Sequence, residues 1–247
     1  MKISQEQKTE NRNTIIRAAV DLITEKGFKA TTMRRIAKAA GVGDATVYNY
    51  FPTKEAILYA YYEDHMLACI DALKSVEKFH TFSVQEQLQT LFGTSLNLYL
   101  PDRKFVSGTF GLVLLSGSRD WAQVKRIRSA FLAAVNDMLV AAAEVGEIPD
   151  QVFPELISQF FMDAYIGVLH YWISDTSDGF TNTTVLIDRG LDLACAMLKA
   201  GIANKLFDLA IFLFKNHVLG KLGRFVEPFK NASTAKRRFM ETWDSES

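Results

Sequence analysis

TTMRRIAKAAGVGDATVYNYFPTKEAIL, residues Thr31 to Leu58 of a 247-residue chain, sets two short runs of helical pattern on either side of a glycine turn. The first run opens at Thr31 or Thr32, either of which can cap a helix, and ends before Gly41. The second carries Asp44 to Tyr50 and is stopped by Pro52. Ile36, Ala37, Ala40, Val42 and Val47 fall on the inward faces, and the small Ala37 and Ala40 let the two helices approach closely. Such a pair is a helix-turn-helix, in which the first helix braces and the second is free to enter a groove. The second then presents Asp44, Ala45, Thr46, Tyr48, Asn49 and Tyr50 outward. That set mixes donors and acceptors for base edges, a methyl for thymine and phenols for phosphates, so the expected partner is double-stranded DNA.

Working outward, apolar residues recur at three- and four-residue spacing along nearly the whole chain, and its five prolines stand at element boundaries. The pattern predicts an all-α fold. A first helix is expected from about Lys8 to Lys26, ended by Gly27, and a long fourth helix, capped by Thr53, from Lys54 to about Val76. Further helices are expected at about 83–99, 102–117, 121–145, 153–174 and 182–199. The expected division is residues 1–53 as a helix-turn-helix domain, 54–200 as a larger helical domain, and 201–247 as a helical extension and tail.

The zero formal net charge hides an asymmetry, because residues 1–60 carry ten Lys or Arg against six Asp or Glu. The basic end is where a polyanion would sit. Cys69 and Cys195 stand far from each other and from any ligand-like spacing, so neither a disulfide nor a metal site is expected, and no cofactor. No paired carboxylate, nucleophile and histidine pair or phosphate loop has convincing spacing, which argues against an enzyme. Without an apolar run of membrane-spanning length or an export signal, the chain reads as cytoplasmic and not integral to a membrane.

The run Thr31–Leu58 resembles the TetR family of bacterial repressors closely, through its Thr-rich start, Ile-Ala in the bracing helix, Ala-Gly-Val turn, Thr-Val-Tyr, Tyr-Phe and Lys-Glu-Ala-Ile-Leu. The resemblance implies roles by motif position. Thr32, Tyr48, Tyr50 and Lys54 would contact phosphates, and Arg34, Asp44, Ala45, Thr46 and Asn49 would read or adjoin bases. Two positions depart from the family pattern, Gly43 where a serine-like cap is usual and Ala45 where glycine is frequent; both suit a helix start.

The same resemblance implies a ligand-responsive transcriptional regulator, a repressor that binds a palindromic operator as a dimer and is released by a small hydrophobic effector. FPELISQFFMDAYIGVLHYWISD, 153–175, is apolar nearly all round and needs cover on more than one side. With residues 183–200 it would form a four-helix bundle with the same pair of a second copy, a homodimer in which Gly167 permits close approach. Phe92, Phe110, Trp121, Phe131, Phe161, Tyr165 and His170 are candidates to line the effector pocket, with His65 and Asp163 as further polar groups there. The extension IANKLFDLAIFLFKNHVLGKLGRF, 202–225, is expected to pack on the ligand domain or across the dimer, the alternative being a membrane-surface role suggested by Lys205, Lys215, Lys221 and Arg224. The competing reading is a hydrophobe- or lipid-binding protein of the same fold that does not act through DNA.

Overall fold

The computed structural model describes residues 4–113 and 121–214, with the side chains of 121–124 excepted. Ten α-helices and no strand occur among the described residues. Helix α1 (Gln5–Lys26) starts earlier than the sequence pattern indicates because the Ser4 hydroxyl accepts from Gln7 N at 3.1 Å and caps it. It ends at Gly27, where φ is 79°. Thr32 caps α2 (Met33–Ala39), and Gly41, with φ of 67°, turns the chain into α3 (Asp44–Tyr50). Thr53 then caps α4 (Lys54–Lys74), accepting from Ala56 N at 3.1 Å.

The remaining helices are α5 (Val84–Tyr99), α6 (Arg103–Val113), α7 (Trp121–Glu144), α8 (Pro154–Ser174), α9 (Thr181–Lys199) and α10 (Ile202–Leu213). A reciprocal capping box of Ser83 and Glu86 opens α5, and a single 3-10 turn, Leu100–Asp102, joins α5 to α6. The expected helices are therefore present, with α4 two residues shorter than read; the part of 102–117 beyond Val113 lies outside the described residues, as does the extension beyond Phe214.

Helices α1 to α3 close around Ile15, Ala19, Ile36, Ala37, Val47 and Phe51, and this apolar cluster runs without a break into the bundle through Ile57, Leu58 and Tyr62 of α4. Helix α4 packs on α5 and α7, α7 on α8, and α9 on α5, while α1 reaches across to α6. Helices α2 and α3 thus sit at one end of α4, and the other end of α4 is embedded in the bundle. A bidentate Arg12–Asp64 ion pair, 2.5 and 2.9 Å, ties α1 to α4 near that junction.

Candidate DNA-reading helix and effector core

Helix α3 turns Val47 fully inward and leaves Asp44, Ala45, Tyr48 and Asn49 exposed, with Thr46 and Tyr50 half-buried. Tyr48 is an aromatic residue 54% exposed. Beside it, α2 exposes Arg34, Arg35 and Lys38, and these with Ala30, Thr32, Val42, Gly43 and Asp44 line a groove of about 740 Å³. Of the expected residues, Thr32, Arg34 and Asp44 line this groove, and Ala45, Tyr48 and Asn49 are exposed on α3 beside it. Thr32 is engaged as a cap, its hydroxyl accepting from Arg35 N at 3.3 Å. Arg34 approaches Asp44 at 3.9 Å, but both are so exposed that the pair contributes little and leaves either group free to turn toward a partner.

Lys54 is held differently from the rest. Its ammonium donates to the Phe28 carbonyl and, at 2.8 Å, to that of Thr31, and it lies 4.0 Å from the Phe28 ring centre. It therefore clamps the loop before α2 onto the start of α4, with one of its three N–H bonds left over. Arg35 strengthens the same loop by donating to the Ala30 carbonyl at 2.7 Å. Neither clamp is legible in the sequence, since both partners are main-chain oxygens.

The candidate effector residues separate into two groups. Phe92, Phe131, Phe161 and Tyr165 are buried together, with ring centres 5.4 Å apart for Phe92 and Tyr165 and 5.1 Å for Phe131 and Tyr165. Phe110 is buried further along, and His170 is exposed, stacked on the Phe110 ring at 5.6 Å. The side chain of Trp121 lies outside those described. Asp163 is also exposed and pairs with Arg128 at 3.1 Å.

The polar centre of this core is Ser95, fully buried, which the sequence reading passed over. Its hydroxyl meets His65 Nε2 at 3.0 Å and the Tyr165 hydroxyl at 2.6 Å, while the His65 ring stacks on Tyr99. The readable signal was its place on the apolar stripe Leu88, Leu91, Phe92, Ser95, Leu96, Tyr99. Burial pushes the His65 pKa down to about 3, so the imidazole is neutral near pH 7. Burial also raises the Cys69 thiol to about 12 and that of Cys195 to about 11, leaving both uncharged and unreactive. Among the described residues no group of His, Cys, Asp and Glu could hold a metal ion, and no helix is long and apolar enough to cross a membrane.

Residues 15–61 match the family described as bacterial regulatory proteins, tetR family, and residues 87–213 match the tetracyclin repressor-like C-terminal domain. The fatty acid metabolism regulator protein of Bacillus subtilis (strain 168) is 27% identical over 205 residues, 81% of this chain and 99% of its own length. Among solved structures, the fatty acid degradation regulator FadR of Bacillus halodurans superimposes with a TM-score of 0.62 at 24% identity, covering 81% of this chain and 99% of that one. FadR of Bacillus subtilis in complex with stearoyl-CoA gives 0.59 at 22% identity, with 76% and 98% covered. The helix-turn-helix at one end, the larger helical domain behind it and the family matches over both agree: the chain belongs to the TetR family of bacterial transcriptional regulators.

Proposed function

We propose that the chain is a dimeric repressor that binds an inverted-repeat operator and is released from it by a long-chain acyl-CoA. The observation that carries the DNA part is the exposed face of α3 flanked by the cationic face of α2, a polar and aromatic surface that no packing inside the chain requires. On this reading Arg34, Asp44, Ala45, Thr46 and Asn49 meet base edges or adjoin them, and Thr32, Tyr48, Tyr50 and the remaining donor of Lys54 meet phosphates. Dimerisation would use α8 and α9, which leave Leu156, Phe160, Leu193 and Met197 exposed and form an apolar groove of about 300 Å³ floored by Gly167 and Gly190. A Cβ at Gly167 would meet open space within its own chain, so a larger side chain there would obstruct only a neighbour.

The effector class rests on the FadR relatives, one of them solved with stearoyl-CoA, and on the character of the core. Phe92, Phe131, Phe161 and Tyr165 offer aliphatic chains an apolar interior, and the Ser95, His65 and Tyr165 groups offer hydrogen bonds to a carbonyl. In the state described these rings pack against one another, so an acyl chain must displace them, and the space it takes is the source of the conformational change. A hundredfold loss of operator affinity needs about 2.7 kcal/mol of coupling.

The test is titration of stearoyl-CoA into the protein bound to its operator, followed by fluorescence anisotropy, with free CoA as control. Release by stearoyl-CoA alone is expected. Tight acyl-CoA binding by a protein that selects no DNA sequence would instead establish the hydrophobe-binding reading.

A further inference from the structure

The 3-10 turn between α5 and α6 makes contacts that neither the reading face nor the aromatic core accounts for. Asp102 closes the turn with its side chain 15% exposed. One terminal nitrogen of Arg17, on α1, donates to both of its carboxylate oxygens at 2.9 and 3.1 Å. The Tyr61 hydroxyl of α4 donates to the same carboxylate at 3.1 Å. The next residue, Arg103, faces the other way, donating to the carbonyls of Trp172, Ile173 and Asp175 at 2.8, 3.0 and 2.6 Å and lying over the rings of Trp172 and Phe180. Two consecutive residues therefore hold the first helix of the reading head and the C-terminal end of α8.

The core reaches the same turn by a second route. Tyr99, immediately before it, stacks on His65, and Tyr61 packs on Phe105 with ring centres 4.6 Å apart. Arg17 does not need Asp102 for its charge, because its other nitrogens already hold Asp21 on α1 at 2.5 and 3.0 Å. The contact to Asp102 is thus a tie between domains added to a cation satisfied locally. A turn this short cannot let its two ends move independently. A displacement of Tyr99 or of the α8 terminus is carried to Asp102, and through Arg17 to α1, whose Ile15, Ile16, Ala19 and Val20 are the core of the head.

We infer that Asp102 is a positioning residue for DNA binding, acting through Arg17 to set the angle of the reading head according to the packing of the effector core. This rests on the reading of the chain as an effector-controlled DNA binder. Asp102→Asn keeps the shape and the Tyr61 bond while removing the charge that holds Arg17; Asp21→Asn removes the other partner of Arg17 without touching the tie.

The experiment measures the distance between spin labels at Lys38→Cys on α2 and Glu144→Cys on α7, in full-length protein diluted with unlabelled chain. Both positions are exposed, and Cys69 and Cys195 are buried. A single narrow distribution is expected for the parent and for Asp21→Asn, and a broadened or shifted one for Asp102→Asn and Arg17→Ala, with Arg17→Lys between them. In operator binding, stearoyl-CoA should lower the affinity of the parent and of Asp21→Asn by about a hundredfold, and that of Asp102→Asn by less than about tenfold. Coincident distributions for Asp102→Asn and the parent would overturn the inference. Failure of stearoyl-CoA to release the parent from DNA would sink the effector assignment instead, while the label distances would still decide the role of Asp102.

Discussion

In α2 and α3 the polar side chains face outward and depend on little around them, whereas α4, α5 and α8 bury His65, Ser95 and Tyr165, which depend on one another. Arg34, Arg35, Lys38, Tyr48 and Asn49 are exposed, and the head beneath them is closed by small apolar contacts and local caps. In the bundle, Ser95, His65 and Tyr165 form a chain of hydrogen bonds inside a cage of aromatic rings, where every missing partner leaves a buried group unsatisfied. The difference separates two kinds of substitution: those in the head should change binding at constant stability, and those in the bundle should change stability first.

The largest expected effect is Phe131→Ala, which empties a fully buried ring site and should lower stability by about 3–5 kcal/mol, read by urea unfolding. A loss below about 1 kcal/mol would mean the core is loosely packed already. Ser95→Ala follows, at about 1–3 kcal/mol, because it leaves His65 and Tyr165 without a common partner.

The same histidine gives the bundle a pH dependence. Its pKa is about 3 in the folded protein against an ordinary 6.5, so the unfolded chain takes up a proton at lower pH than 6.5 while the folded one does not. The contribution of neutral His65 is fully present above about pH 6.5 and is lost progressively toward pH 3. His65→Gln should flatten that slope in a pH series of unfolding curves, and an unaltered slope would assign it to the carboxylates.

On the other side of the comparison, Arg34→Ala should leave unfolding within about 0.5 kcal/mol of the parent. It should cost about 1–3 kcal/mol of discrimination at one symmetric pair of operator positions. Lys54→Ala crosses the boundary between the two classes. It should reduce the salt dependence of DNA binding by about one charge and also loosen the Phe28–Thr31 loop, visible as faster amide exchange there.

Local signals were legible in the sequence where they act over a few residues. The caps Thr32 and Thr53, the turn at Gly41 and the inward Ile36, Ala37 and Val47 define the head because each works within one or two helical turns. Helical periodicity likewise located α5 to α9. Which aromatic residues converge was only half legible, since Phe92, Phe131 and Tyr165 meet while His170 on the same helix as Tyr165 faces outward. The contacts that join head to bundle were not legible at all. Arg17 and Asp102 are 85 positions apart, and Arg103 binds main-chain carbonyls that carry no residue signature.

Whether α3 reads DNA as half of a paired reader is decided by selecting a random duplex library with the purified full-length protein and sequencing what is retained. One enriched inverted repeat is expected, with half-sites about 34–36 Å apart or a multiple of that spacing, and weaker selection at one symmetric pair of positions with Arg34→Ala. Folded protein, freed of bound lipid, that retains no sequence above background would contradict it.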